Sequence, residues 1–117
     1  MLTEKEIWPN FFIVGAQKCG TTSMYYYLKD VPGVFMCPVK EPNHFAPNVR
    51  ETVAIDVIRD KREYLDLFRK ADGNIAIGEA SVFYLWDPDA PRLIRQTVPN
   101  AKIIIMLRDP IERAFSQ

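Results

Sequence analysis

Residues 10–23, N-F-F-I-V-G-A-Q-K-C-G-T-T-S, constrain the rest of the chain more than any other stretch. Phe11-Phe12-Ile13-Val14 is apolar without alternation, the pattern of a strand buried on both faces in a parallel sheet. Gly15 and Gly20 then bracket four residues, and Thr21-Thr22-Ser23 opens a helical pattern. Strand, glycine-bracketed turn and helix start are the outline of a phosphate-binding loop. Its backbone N–H groups close round an anion, and the helix dipole favours negative charge there. The bland alternative is a tight turn with no ligand.

The nucleotide-triphosphatase form of this loop reads G-x-x-x-x-G-K-S/T. The Gly15 to Gly20 spacing and Thr22 fit it, but Thr21 occupies the lysine position and Lys18 lies inside the loop. Lys18 can still reach a phosphate-like group, from the other side.

At 117 residues the chain is at most one small domain. Fifteen basic residues balance fifteen acidic ones, so neither a general nucleic-acid role nor a membrane-surface role gains support. Any anion site must come from local arrangement. Cys19 and Cys37 have neither disulfide-framework nor metal-site spacing and read as free thiols in a reducing compartment. No apolar run reaches membrane-spanning length, and the charged start is not a signal peptide, so the expected location is cytoplasmic.

In order, residues 21–30 read as a helix with Met24, Tyr27 and Leu28 at helical spacing, closed by Val31-Pro32-Gly33. Val34-Phe35-Met36 reads as a short strand. Residues 37–47 carry three prolines, which makes a stiff loop past a strand end, holding Lys40, Glu41 and His44. Pro42 favours an extended backbone at Glu41. Residues 60–70 read as an amphipathic helix, capped by Asp60 with Glu63 and buried through Tyr64, Leu67, Phe68 and Ala71. A strand over 74–78, a helix over 87–97 and the apolar run 102–107 follow. That last run reads as the clearest buried strand, and Asp109 with Glu112 caps another helix behind it. Alternating strands and helices predict an α/β, P-loop-like three-layer fold round a central parallel sheet.

A second anion site is expected at the end of the 102–107 strand. Arg108 offers a planar fork for a phosphate, and Ser116 can swing back from the following helix. Alternatively Arg108 pairs with Asp109, Glu112 or Glu79. Two anion sites on strand ends suit one ligand with two separated anionic groups.

These motifs resemble those of the sulfotransferases that use 3′-phosphoadenosine 5′-phosphosulfate, especially the carbohydrate (heparan-sulfate) type and its bacterial relatives. Residues 15–23 look like the family's 5′-phosphosulfate loop. Arg108-Asp109-Pro110-Ile111-Glu112-Arg113-Ala114-Phe115-Ser116 looks like its 3′-phosphate segment, and Lys40-Glu41-Pro42 with Phe45 like the loop carrying its base. The resemblance implies that Lys18 binds the bridging and sulfuryl oxygens. It also implies that Gly20, Thr21, Thr22 and Ser23 hold the 5′-phosphate, Arg108 and Ser116 the 3′-phosphate, and that Glu41 is the catalytic base. The implied product is adenosine 3′,5′-bisphosphate, no metal is needed, and the acceptor is a carbohydrate-like or small-molecule hydroxyl or amine. A non-catalytic nucleotide-binding fragment and a P-loop kinase are the rival readings.

Two positions depart from the family's pattern. Ala80 stands where a lysine is frequent, and Asn43-His44-Phe45 replaces H-F-F, which makes His44 a candidate substitute or assisting base. Residues 1–117 are expected to be the N-terminal portion of a single, truncated sulfotransferase domain. Its incomplete sheet would leave apolar surface open to self-association.

Overall fold

The computed structural model describes residues 6–16, 18–52 and 55–107. Strand β1 is Phe11–Gly15, followed by helix α1, Thr21–Lys29, and strand β2, Val34–Met36. Helix α2 is Lys61–Asp66, strand β3 Ala76–Ala80, helix α3 Ala90–Thr97 and strand β4 Lys102–Ile105. The four strands form one sheet in the order β2-β3-β1-β4, with every neighbouring pair parallel.

All five residues of β1 are buried, as its unbroken apolar run requires. Its side chains alternate between two cores. Phe11 and Ile13 meet Tyr25 of α1, Met36 and Ala80 on one face. Phe12 and Val14 meet Tyr64, Phe68, Tyr84 and Ile94 on the other. Helix, sheet and helices therefore make the three layers of an α/β fold. In the β1–β3 register Phe11 lies opposite Gly78. A Cβ on Gly78 would stand 2.1 Å from the Phe11 ring, so the bare glycine is what lets that ring lie across the strand.

Several boundaries differ from expectation, for local reasons. Helix α2 stops at Asp66 because the next amides pair three residues back. Leu67 N–H donates to Tyr64 O at 3.1 Å and Phe68 N–H to Leu65 O at 3.0 Å, leading into a 3-10 turn at Arg69–Ala71. The Asp60 cap is present, accepting from Glu63 N–H at 3.0 Å. In α1 the buried tyrosine is Tyr25, whose hydroxyl donates to the Cys37 carbonyl at 2.5 Å, while Tyr26 and Tyr27 are exposed. Strand β3 runs on through Glu79 and Ala80.

Helix α3 begins later than expected because Asp87 is buried outside it as an anchor. The Asp87 carboxylate accepts from the Asn48 backbone at 2.9 Å, the Asn48 amide at 2.7 Å and Asp89 N–H at 2.8 Å.

The largest correction concerns β4. It is the edge strand, paired with β1 alone among the described residues, and Ile103, Ile105 and Leu107 are 48%, 49% and 78% exposed. Its apolar composition specifies a strand, and the sheet order places that strand at the rim. The expected helix behind Arg108 lies outside the described residues.

Candidate active site at the strand ends

Parallel pairing brings the loops that leave β1, β2 and β3 to one edge of the sheet. The chain leaves β1 towards β2, and leaves β3 across β1 to β4, so the order reverses at β1, where α/β sheets bind ligands.

The loop after β1 starts at Gly15, whose φ of 142° suits glycine. A Cβ there would stand 3.1 Å from the Leu85 side chain and 3.3 Å from the Val82 carbonyl. The loop turns through left-handed residues at Lys18 (φ 61°) and Gly20 (φ 88°) and enters α1. Gly20 is the N-cap and brings no side chain to the first-turn amides, and that turn holds no acidic residue. The N–H groups of Thr21, Thr22 and Ser23, with the dipole behind them, suit an anion. The Thr21 side chain is buried, whereas Lys18, Thr22 and Ser23 are exposed. Thr21 is thus placed to act through its amide, and Thr22 and Ser23 through hydroxyls as well.

Glu41 lies on the loop after β2. Its N–H donates to Ala80 O at 2.8 Å, tying the loop to the end of β3. Its Oε1 accepts from Val82 N–H at 3.2 Å, and Lys40 Nζ stands 3.8 Å from Oε2. The extended backbone expected before Pro42 is absent: Glu41 has φ 67° and Asn43 φ 56°. The turn is pinned instead by the Ala80 bond and by the Asn43 amide, which donates to Glu41 O at 3.2 Å and Asp56 O at 3.0 Å. These bonds override the proline bias. One short segment serves both loops, since Val82 holds the Glu41 carboxylate through its N–H and abuts Gly15 through its carbonyl.

His44 is occupied otherwise. Its ring stacks on Tyr64 at 4.1 Å and 7°, and Nδ1 lies 2.8 Å from the Ile58 carbonyl. Burial holds its pKa below the ordinary 6.5, with the Ile58 carbonyl opposing. The stacking and the Ile58 contact hold the ring in the packing around Tyr64.

Beneath this loop lies a group the sequence reading left out of the site. Glu79 is fully buried, and its carboxylate accepts from Ser81 Oγ at 2.7 Å, Tyr84 OH at 2.9 Å and Tyr64 OH. Burial pushes its carboxyl up to about 7, against the three hydroxyls, which favour the charged form. Burial and the nearby Glu79 also push the Cys37 thiol up to about 12, which keeps it unreactive. The signal in the sequence was an acid embedded in the apolar run I-A-I-G-E-A-S-V-F-Y. Ala80, in the position where the resemblance carries a lysine, is buried in the core on the α1 face. Arg108 and Ser116 lie outside the described residues.

A cleft of about 620 Å³ opens at the same edge, against Ala16 and Val82, with Val49, Arg50, Phe83 and Trp86 among its walls. Among the described residues no helix is long and apolar enough to cross a membrane.

A parallel sheet with a glycine-bracketed loop entering a helix at its switch point is an α/β fold of the P-loop kind. No protein-family model matches the chain. It is 36% identical over 110 residues to the membrane-associated sulfotransferase kil1 of Dictyostelium discoideum, covering 93% of this chain and 22% of that protein. It is 33% identical over 147 residues to human carbohydrate sulfotransferase 15, covering 92% and 26%. The crystal structure of a sulfotransferase from Alicyclobacillus acidocaldarius superposes with a TM-score of 0.83 at 44% identity, over 94% of this chain and 48% of that one. The chain belongs to the sulfotransferases. It spans about a quarter of the length of these curated relatives and about half of the crystallised one.

Proposed function

We propose that this chain supplies the donor-binding loop and the base of an enzyme that moves a sulfuryl group from 3′-phosphoadenosine 5′-phosphosulfate to a hydroxyl or amine of a carbohydrate-like acceptor. The observation that carries the reading is the Val82 junction, which puts the Glu41 carboxylate and the first glycine of the anion loop on one residue. The acceptor oxygen or nitrogen attacks sulfur and the bond from sulfur to the bridging oxygen breaks. The electron pair leaves on the 5′-phosphate of adenosine 3′,5′-bisphosphate, and the acceptor proton passes to Glu41. Lys18 and the amides of Gly20, Thr21, Thr22 and Ser23 stabilise the charge developing on the leaving phosphate. Arg108 and Ser116 hold the 3′-phosphate, a role that rests on the motif resemblance.

The cleft beside Val82 is the proposed acceptor site, and its aromatic wall at Phe83 and Trp86 suits the flat apolar face of a sugar ring. One relative is by name a carbohydrate sulfotransferase, which supports this acceptor class. A cytoplasmic location is the finer proposal that the free, buried Cys19 and Cys37 support, and fractionation of expressing cells tests it.

Calorimetric titration tests the donor assignment. Adenosine 3′,5′-bisphosphate is expected to bind more tightly than AMP or ATP, with magnesium changing little. Hydrogen bonds to charged groups contribute about 1.5–3 kcal/mol each, so the second phosphate is worth at least a tenfold preference. Preference for ATP with magnesium would replace this reading with a kinase. Bisphosphate binding without transfer from labelled donor would leave a binding fragment.

A further inference from the structure

We propose that Glu79 is a positioning residue for the base, holding the Glu41 loop in its working conformation through three hydroxyl groups. The inference deepens the transferase reading and rests on it. Among the described residues no cation pairs with this buried carboxylate, and its partners there are the hydroxyls of Tyr64, Ser81 and Tyr84.

What Glu79 does have is a direction to impose. An ionised carboxylate only accepts hydrogen bonds, so each hydroxyl facing it must point its single proton inward. The hydroxyl oxygens then turn their lone pairs outward, to the loop. Ser81 Oγ accepts from Asn43 N–H at 3.1 Å, and Tyr84 OH accepts from Phe45 N–H at 3.2 Å. The third hydroxyl belongs to Tyr64, whose ring carries His44 stacked at 4.1 Å. Three successive loop residues, Asn43, His44 and Phe45, are thereby fixed from one carboxylate.

The loop needs such fixing. Glu41 and Asn43 both hold left-handed backbone, at φ 67° and 56°, which non-glycine residues keep only where surroundings over-determine it. Asn43 passes the constraint on through its amide to the Glu41 carbonyl at 3.2 Å. With Glu79 neutral or absent, the hydroxyl protons are released and compete with the loop N–H groups for direction. Glu41 then loses its aim while the anion loop after β1 keeps its own bonds.

The experiment is a kinetic cycle on the protein that carries this chain, with Glu79→Gln, Glu41→Gln and the double variant. Glutamine keeps the shape of Glu79 but puts donors where an acceptor stood. Glu79→Gln is expected to lower kcat about ten- to a hundredfold, the scale of a misplaced catalytic group. Affinity for adenosine 3′,5′-bisphosphate is expected to stay within twofold. In the Glu41→Gln background the same change is expected to have no further effect on kcat, because there is no base left to aim. If Glu79→Gln fails to fold, Tyr84→Phe and Ser81→Ala enter the same cycle, each removing one clamp and each expected to lose kcat only when Glu41 is present. Losses that multiply in the Glu41→Gln background, bisphosphate affinity that falls in step with kcat, or wild-type turnover in the variants would overturn the assignment. A wild-type protein that binds bisphosphate and transfers no sulfuryl would overturn the transferase reading, and this assignment with it.

Discussion

Glu79 accepts from the Tyr64 hydroxyl and His44 stacks on the Tyr64 ring, and burial drives their proton affinities in opposite directions. The Glu79 carboxyl rises from 4.5 to about 7 in the folded protein. The folded state thus binds this proton more tightly than the unfolded state. The stability Glu79 contributes is fully present below pH 4.5 and is lost as pH rises through about 7. His44 runs the other way: its folded value lies below 6.5, so its contribution is lost as pH falls through that lowered value. Comparing wild type with Glu79→Gln cancels His44 and isolates the carboxylate. Thermal melts are expected to show the variant gaining on wild type as pH rises from 4.5 to 7. A difference that is flat with pH, or that shrinks, would mean that Glu79 is not held in an environment hostile to its charge.

Among the elements, the strand–loop–helix at residues 11–29 was legible in the sequence because its signals are local. An unbroken apolar run, two glycines and a hydroxyl-rich helix start lie within a dozen residues. The place of each strand in the sheet was not legible, since composition records that a strand is apolar and not which neighbours it acquires. Strand β4 shows the consequence, with Ile103 and Ile105, and Leu107 just beyond it, facing solvent. Glu79 was missed as part of the site for a related reason. Its partners Tyr64, Ser81 and Tyr84 come from α2 and the segment after β3, and only the fold makes them converge. Glu41 was found by its motif, but its backbone was misjudged because long-range bonds to Ala80 and Asn43 outweigh the local effect of Pro42. The exposed edge carries a prediction of its own. An edge strand with exposed apolar side chains on it and just beyond it favours pairing between copies. The isolated 117-residue chain is expected to self-associate at micromolar concentration in sedimentation, and Ile103→Lys with Ile105→Lys to suppress it. A monodisperse wild-type monomer would contradict this.

At the scale of the whole molecule, parallel order gathers the anion loop, the Glu41 loop and the Val82 segment at one sheet edge, and the cleft opens there. The chemistry proposed for this edge is sulfuryl transfer, with Glu41 taking the acceptor proton and His44 only packing. The most direct test measures transfer from labelled 3′-phosphoadenosine 5′-phosphosulfate, and bisphosphate affinity, for Glu41→Gln and His44→Ala under one set of conditions. Glu41→Gln is expected to lose about two to four orders of magnitude in transfer while bisphosphate binding stays nearly unchanged. His44→Ala is expected to keep transfer within a few fold of wild type. A dead histidine variant beside an active glutamine variant would rule out Glu41 as the base and assign that role to His44.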